Sequence, residues 1–378
     1  MTLPVSIIGG GVAGCVLARA LEKQGIDSRI FERNGPSRFT GGALLLWSNA
    51  MRALAEVDLD VGPRSFGQEL ESIEFRGSDG QLLWRLRADR LAIRNNAPCI
   101  VVPRAAFLNY LDQTVAGRVE RRVYAAHEHA ADHVTTSFDD GTRADSSILV
   151  GADGLRSQVR RQLEGREPQL RFSGQSIWVG SLPFRHRLLK PGRAVASVGR
   201  GLRFWAAAFP NDQVYWYAIF PEHLTPKNLF ELSRHFLDFH APVTELIQST
   251  PRSSVAKTSI CDRHPASSWG SGRVTLLGDA IHPVTPDLGQ GACQAIESAV
   301  TLAEQLAKRG LAPAALRHYE ERRRGRTSRI SNLSYVTAVN SMVENRWACR
   351  LRNVGIATLL PFVAAPQLRW ITRGRHAD

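Results

Sequence analysis

Gly9, Gly11 and Gly14 stand in the order G-x-G-x-x-G, a spacing that suits a pyrophosphate. Gly9 permits a tight turn, Gly11 lets the backbone approach the phosphates, and Gly14 lets a helix pack closely on a strand. Val12 and Ala13 open that helix, whose free N–H groups and positive end favour bound negative charge. Glu32 follows Gly14 by eighteen residues. A carboxylate there accepts hydrogen bonds from ribose hydroxyls and repels a 2′-phosphate; Arg33, directly after it, is the feature that argues for NADP instead. The chemistry expected is the binding of an ADP-containing dinucleotide. Asp279 closes an apolar run, a position that faces ligands over the carboxyl ends of an α/β sheet, with an N-cap as the plain alternative. Pro286 stiffens the following loop, and Gly289, Gln290 and Gly291 lead into a helix N-terminus able to hold negative charge. Asp153-Gly154, taken alone, reads as a turn. No catalytic acid or base stands out. His282 adjoins the 279–291 loop but suits packing or capping equally. His127 and His129 share a strand face without a third ligand, which reads as a solvated strand end, so no metal is expected.

The elements that must position these residues follow from hydrophobic patterning. Val5-Ser6-Ile7-Ile8 is a buried-strand run, Val12 to Lys23 has helical spacing, and Ser28 to Glu32 is a second strand, giving a βαβ unit. An amphipathic helix is predicted from Asn49 to Val57. Residues 70–95 alternate about the turn Ser78-Asp79-Gly80, as a β-hairpin does. A helix is predicted from Arg104 to Val115, then strands near Val119–Ala126 and His133–Phe138 flanking the turn Asp139-Asp140-Gly141. Ile148 to Val150 is again a buried strand. Between about 172 and 260 the chain alternates and is rich in aromatics; Pro210-Asn211-Asp212 joins two of its strands, and a helix lies near 226–240. Val274 to Leu277 is a strand, a long helix runs from Gly289 to about Lys308, and helices continue to the C-terminus. Glu320 to Arg324 reads as an exposed helix face with i,i+3 and i,i+4 pairing. Ala348 to Trp370 reads as an apolar helical cover over the active site, touching a membrane if the substrate is lipophilic.

The 378 residues, 43% hydrophobic and 22% charged, describe an ordinary globular protein with a substantial core. The net charge of +13 is spread along the chain and reads as a surface bias, so nucleic acid is not an expected partner. Cys15, Cys99, Cys261, Cys293 and Cys349 lie far apart with no C-x-x-C pair, which excludes a disulfide framework or zinc site and suits a reducing cytoplasm. The N-terminus reads as a strand and turn instead of a signal peptide. No apolar run approaches the roughly 20 residues of a membrane span.

Three motifs resemble one known group, the single-component FAD-dependent aromatic hydroxylases that include p-hydroxybenzoate and salicylate hydroxylases and zeaxanthin epoxidase. They are the opening unit ending in Glu32-Arg33, the stretch Ile148 to Arg160 around Asp153-Gly154, and Gly278 to Gly291. The resemblance spans nearly the whole chain. It implies that Asp153 serves FAD and NAD(P)H binding together, that Asp279 meets the FAD ribityl-phosphate region, that the 286–291 turn approaches the isoalloxazine, and that Arg104 is a flavin-binding arginine. Ile281, where a small residue is usual, departs from the pattern in a way expected to reshape the active-site floor, and Ser298 replaces a common acidic residue.

The resemblance further implies an α/β fold, p-hydroxybenzoate hydroxylase-like: a Rossmann-like FAD-binding domain with an inserted β-sheet substrate domain and C-terminal helices. The FAD-binding domain is expected over 1–69, 97–172 and 261–325, the substrate domain over 70–96 and 173–260, and the helices over 326–378. The implied activity is a monooxygenase that uses NADH or NADPH and O2, through a flavin C4a-hydroperoxide, to hydroxylate or epoxidise an aromatic or polyene small molecule. Trp178, Trp205, Trp216, Tyr215 and Tyr217 are candidates to roof its pocket. A monomer or homodimer fits equally. Rival readings are a flavin halogenase, whose W-x-W-x-I-P motif Tyr215 to Pro221 does not match; an isoprenoid-chain reductase, which would consume no oxygen; and a redox sensor whose flavin NAD(P)H cannot reduce.

Overall fold

The computed structural model describes residues 3–35, 42–167 and 169–376. Its organising strand is Val5–Ile8, buried at all four positions. It pairs in parallel with Ser28–Glu32 on one side and Ile148–Gly151 on the other, which in turn pairs in parallel with Val274–Leu276. Gly270–Ser271 and Val119–Arg121 complete a sheet of six strands. Helix α1 (Val12–Lys23) leaves the first strand through the glycine turn. Gly9 has φ +110°, and a Cβ at Gly14 would stand 2.0 Å from the Gly9 carbonyl oxygen, so the turn and the helix contact both require glycine.

The chain then builds α2 (Ser48–Ala55), α3 (Val61–Phe66), strands Ser72–Gly77 and Leu82–Arg87, α4 (Ala88–Asn95), α5 (Arg104–Thr114) and α6 (Gln158–Glu164). The hairpin pattern read over 70–95 therefore ends early. Its last eight residues form α4, with Ala88, Leu91 and Asn95 buried at spacings of three and four. The 139–141 turn joins Val134–Phe138 to Arg143–Ser146, not the two stretches expected. The earlier stretch splits at Arg122 and Val123 into Val119–Arg121, in the main sheet, and Tyr124–His129, in a small separate one.

A second sheet of seven strands has the order Val255–Asp262, Arg171–Pro183, Gln213–Pro221, Arg203–Ala208, Arg193–Val198, Ser72–Gly77 and Leu82–Arg87. Its register aligns Val179, Tyr217, Trp205, Ala196, Phe75 and Trp84 in one row across neighbouring strands. Side chains in such a row share a face. The opposite face carries Trp178, Phe204 and Trp216 into a second core with Phe236, beneath α7 (Leu229–His235) and α8 (Val243–Ser249). Helix α7 is shorter than the predicted 226–240 because Asn228 caps its start, accepting from Glu231 N at 2.9 Å.

The C-terminal part comprises α9 (Gly291–Arg309), α10 (Pro313–Asn340), α11 (Arg346–Thr358) and α12 (Leu360–Arg373). The expected exposed face at 320–324 is only half present. Arg323 is 1% exposed, its guanidinium 3.0 Å from the buried Glu297 of α9, because α10 packs along α9 on this side. Helices α11 and α12 meet at a 63° bend, and among the described residues no single helix is long and apolar enough to cross a membrane.

Candidate active site

A cavity of about 1580 Å³ opens between the two sheets, walled by residues from every part of the chain. One wall is the glycine turn, with Gly11, Val12 and Ala13, together with Glu32. Glu32 Oε2 accepts the Gly10 N–H at 2.7 Å and Oε1 the Asn34 N–H at 2.8 Å, which ties the turn to the second strand and leaves each oxygen a lone pair toward the cavity. A Cβ built on Gly11 meets nothing within 4 Å, and the same holds for Gly154 and Gly291. All three line the cavity, so their missing side chains are space left for a ligand and not room taken up by the protein.

Asp279 follows the buried strand Val274–Leu276 and lines the cavity midway. It is deep in the molecule yet uncovered, because the cavity is what it faces. Its carboxyl is held above the usual range by loss of water, while the Arg104 charge opposes that rise. Arg104 opens α5 and lines the same wall. Pro286 and Gly289 continue it, Gly289 at φ +61°. Trp47 Nε1 donates to the Leu288 carbonyl at 3.1 Å and holds this loop against α2. The first turn of α9 begins at Gly291 and presents its N–H groups there.

The second sheet supplies Ile73, Phe75, Trp84, Leu86, Val179, Ala196, Trp205, Tyr215 and Tyr217. Trp205 stacks on Tyr217 at 5.2 Å between centroids, and Phe75 on Trp84 at 5.1 Å. Burial pushes the Tyr217 hydroxyl up to about 12, so it stays protonated. Helix α12 closes this end with Leu360, Ala364 and Leu368.

Some expected residues lie elsewhere. Trp178 is on the opposite face of the sheet and off the cavity, as strand alternation decides; the Trp216 ring packs on that face too, stacking on Phe204 and donating Nε1 to Thr250 Oγ1 at 2.9 Å, although the residue still contributes to the cavity wall. Arg33 is exposed and absent from the cavity wall. The Asp153 carboxylate accepts the Gln158 and Val159 N–H groups at 2.7 and 3.3 Å and so anchors α6, with only its neighbours Ala152 and Gly154 lining the cavity. Gln290 has its side chain in the core, accepting from Asn49 Nδ2 and Gln294 Nε2. Ile281 is buried off the cavity and does not form its floor. His282 is likewise internal: Nε2 meets Ser298 Oγ at 3.0 Å, and burial beside Arg323 pushes it down to about 3. Ser298 also accepts from Arg323 Nε at 3.1 Å, so the hydroxyl serves two partners. His127 is buried, not solvated, with Nδ1 2.6 Å from the Tyr124 hydroxyl.

One feature was not read from the sequence. Arg203 pairs with Asp287, whose side chain is buried in the 286–291 loop, and Arg203 also donates to Gln175 Oε1 at 2.6 Å. Nothing in either residue's surroundings signals the pair, since they are distant in sequence and meet only when the second sheet lies over the loop.

These residues fit FAD: a turn open at Gly11 for phosphates, a carboxylate for ribose, and a helix start open at Gly291. Comparison with known proteins agrees. A family model described as an FAD binding domain matches residues 2–334. The aurachin C monooxygenase/isomerase of Stigmatella aurantiaca is 35% identical over 356 residues, 93% of this chain and 92% of that protein. The 2-heptyl-3-hydroxy-4(1H)-quinolone synthase of Pseudomonas aeruginosa is 33% identical over 376 residues, 95% of this chain and 94% of that one. The crystal structure of Klebsiella pneumoniae HpxO complexed with FAD and uric acid superposes with a TM-score of 0.91 at 26% identity, covering 98% of this chain and 97% of that one. The cavity, the fold and these likenesses converge: the chain belongs to the FAD-binding family of aromatic hydroxylases and is an FAD-dependent monooxygenase.

Proposed function

We propose that this monooxygenase hydroxylates a neutral, electron-rich aromatic ring that carries an apolar substituent. The observation that carries this is the distribution of charge around the cavity. Its charged lining residues, Glu32, Arg104, Asp112, Arg121, Asp279 and Asp287, all come from the dinucleotide fold and its loops. The walls contributed by the second sheet and α12 hold only aromatic, aliphatic and uncharged polar side chains among the described residues. Arg203, the nearest cation to the Trp205–Tyr217 pair in sequence, is paired with Asp287 and offers no free charge to a carboxylate. A carboxylated or anionic substrate would lose its hydration there without compensation. The names of the aurachin and heptylquinolone relatives fit the same class.

In this reading Gly9 to Gly14 and Glu32 hold the ADP moiety, Arg104 and Asp279 the middle of the cofactor, and Pro286 to Gly291 its ring. When bound, FAD supplies reduction by NAD(P)H and activation of dioxygen. The protein's part is to hold the substrate ring between the aromatic row and the 286–291 loop and to keep water out. Free cysteines, four of the five buried, support a reducing compartment. The test is substrate-stimulated NAD(P)H oxidation over a panel of neutral hydroxylated heteroaromatics with alkyl chains of increasing length, beside carboxylated phenols and urate. Neutral alkylated rings should stimulate oxidation and yield oxygenated product, with KM falling as the chain grows. Turnover confined to the carboxylates or urate would overturn the proposal.

A further inference from the structure

Helices α11 and α12 carry an apolar ridge on the outside of the molecule. Trp347, Leu351 and Val354 follow one another at spacings of four and three on α11 and are 70, 74 and 58% exposed. Leu359, Phe362 and Val363 extend the ridge across the bend at 64, 78 and 56%. Six of the seventeen large apolar side chains exposed among the described residues thus fall within one short segment, the densest such run along the chain. Such concentration marks an interaction surface.

The ridge has a charge pattern. Arg346, Arg350, Arg369 and Arg373 are exposed on the same two helices, and the Arg350 guanidinium lies 4.8 Å over the Trp347 ring. From Asn345 to Arg373 the chain has no aspartate or glutamate. The hairpin is also firmly seated. Arg326 donates to the Ile371 carbonyl at 2.6 Å, and Asn95 Nδ2 to Thr372 Oγ1 at 3.0 Å. Meanwhile Leu360, Ala364, Leu368 and Ile371 line the cavity, so α12 is both cavity wall and part of the outer ridge.

We propose that the α11–α12 hairpin docks on an anionic lipid bilayer, and that α12 forms the passage by which an apolar substrate moves from bilayer to cavity. Apolar side chains and a tryptophan edged by arginines match the acyl boundary and its phosphate layer. A second copy of the chain is a poorer occupant, because it would set these arginines against their own like on a molecule of net charge +13. The passage rests on the apolar substrate proposed above; the docking does not.

The test is flotation of the FAD-loaded protein with vesicles of phosphatidylcholine alone or mixed with phosphatidylglycerol. Wild type should float with the anionic vesicles, much less with the neutral ones, and be released by about 1 M salt, where charge attraction is screened to a few ångströms. L351S/F362S and R350E/R369E should each lower the bound fraction about tenfold or more. All four side chains are exposed, so unchanged flavin absorbance and Tm verify the fold. Failure of the wild type to float, equal flotation of both variants, or a dimer abolished by L351S/F362S in place of vesicle binding would each overturn docking. The passage is tested by KM for an alkylated substrate supplied in vesicles, which should rise in L351S/F362S and not when substrate is supplied in solution. Flotation uses no substrate, so a failed substrate panel leaves its result standing.

Discussion

The three fingerprint glycines do different work, and a Cβ at each separates them. At Gly9 it would meet the Ala152 carbonyl oxygen at 2.4 Å, and at Gly14 the Gly9 oxygen at 2.0 Å, whereas at Gly11 it meets nothing. Gly14→Ala should therefore cost stability, about 1–3 kcal/mol or more as an overpacked contact, visible in denaturant unfolding of the apoprotein. Gly11→Val should leave apoprotein stability within about 0.5 kcal/mol of wild type, as a surface change does, yet purify colourless. A Gly11→Val protein that retains full flavin would show that the pyrophosphate lies elsewhere. On the same reasoning Gly291→Val is a cleaner probe of the ring end than any change at Gly289, whose positive φ adds backbone strain to whatever the side chain does.

At the scale of elements, α9 is the part on which the rest is hung. Its N-terminus meets the cavity, and its buried Glu297 receives Arg323 at 3.0 Å and Arg326 at 3.3 Å from α10, while Arg326 also reaches the Ile371 carbonyl of α12. Removing the carboxylate strands two guanidiniums in the core. Glu297→Ala should destabilise by about 3–5 kcal/mol, and limited proteolysis should cut first within 341–376 as α12 loses its seat. The sheet offers a complementary test. Trp205→Ala should raise KM about tenfold for a stimulating substrate and lower product formed per NAD(P)H consumed. Trp178→Phe should change neither, and it sacrifices no hydrogen bond, because Trp178 Nε1 has no partner among the described residues.

That contrast shows how far the sequence was legible. The βαβ unit, the strand before Asp279 and the long helix after Gly289 could be read because each is a local pattern: an apolar run, a glycine spacing, a helical period. Trp178 and Trp205 could not be told apart, because alternation separates neighbours on one strand without saying which face looks inward. Arg323 was misread for a related reason. A run of charges signals solvent unless another element covers it, and α9 covers this one. The Arg203–Asp287 pair is a long-range contact with no local trace at all.

For the whole molecule, the buried histidines contribute to the loss of stability in acid. The ordinary histidine value is 6.5, and His282 is pushed down to about 3 in the fold, chiefly by burial. The unfolded chain therefore takes up a proton that the folded chain refuses. Stability on this account is full above about pH 6.5 and falls as pH drops toward 3, by about 1.4 kcal/mol per unit. His127, lowered to about 4, acts in the same direction. Tm should decline steadily from pH 7 to pH 5, and His282→Gln should flatten that decline; an unchanged slope would place the acid sensitivity in other groups.

The aromatic row has a further consequence if it is regarded as a ruler. Adjacent strands lie about 4.8 Å apart, so the six positions from Val179 to Trp84 span about 24 Å of graduated surface facing the cavity. Two stacked pairs, Tyr217–Trp205 and Phe75–Trp84, stand on either side of the single methyl of Ala196. That methyl is a notch between two platforms, wide enough for a chain to cross where a ring cannot lie. Ala196→Leu should fill it, leaving turnover of short-chain substrates nearly intact while KM for long-chain ones rises at least about tenfold, the cost of roughly 1.4 kcal/mol of lost contact. Substrate length in this enzyme would then be set by one alanine whose place in the row only the strand register reveals.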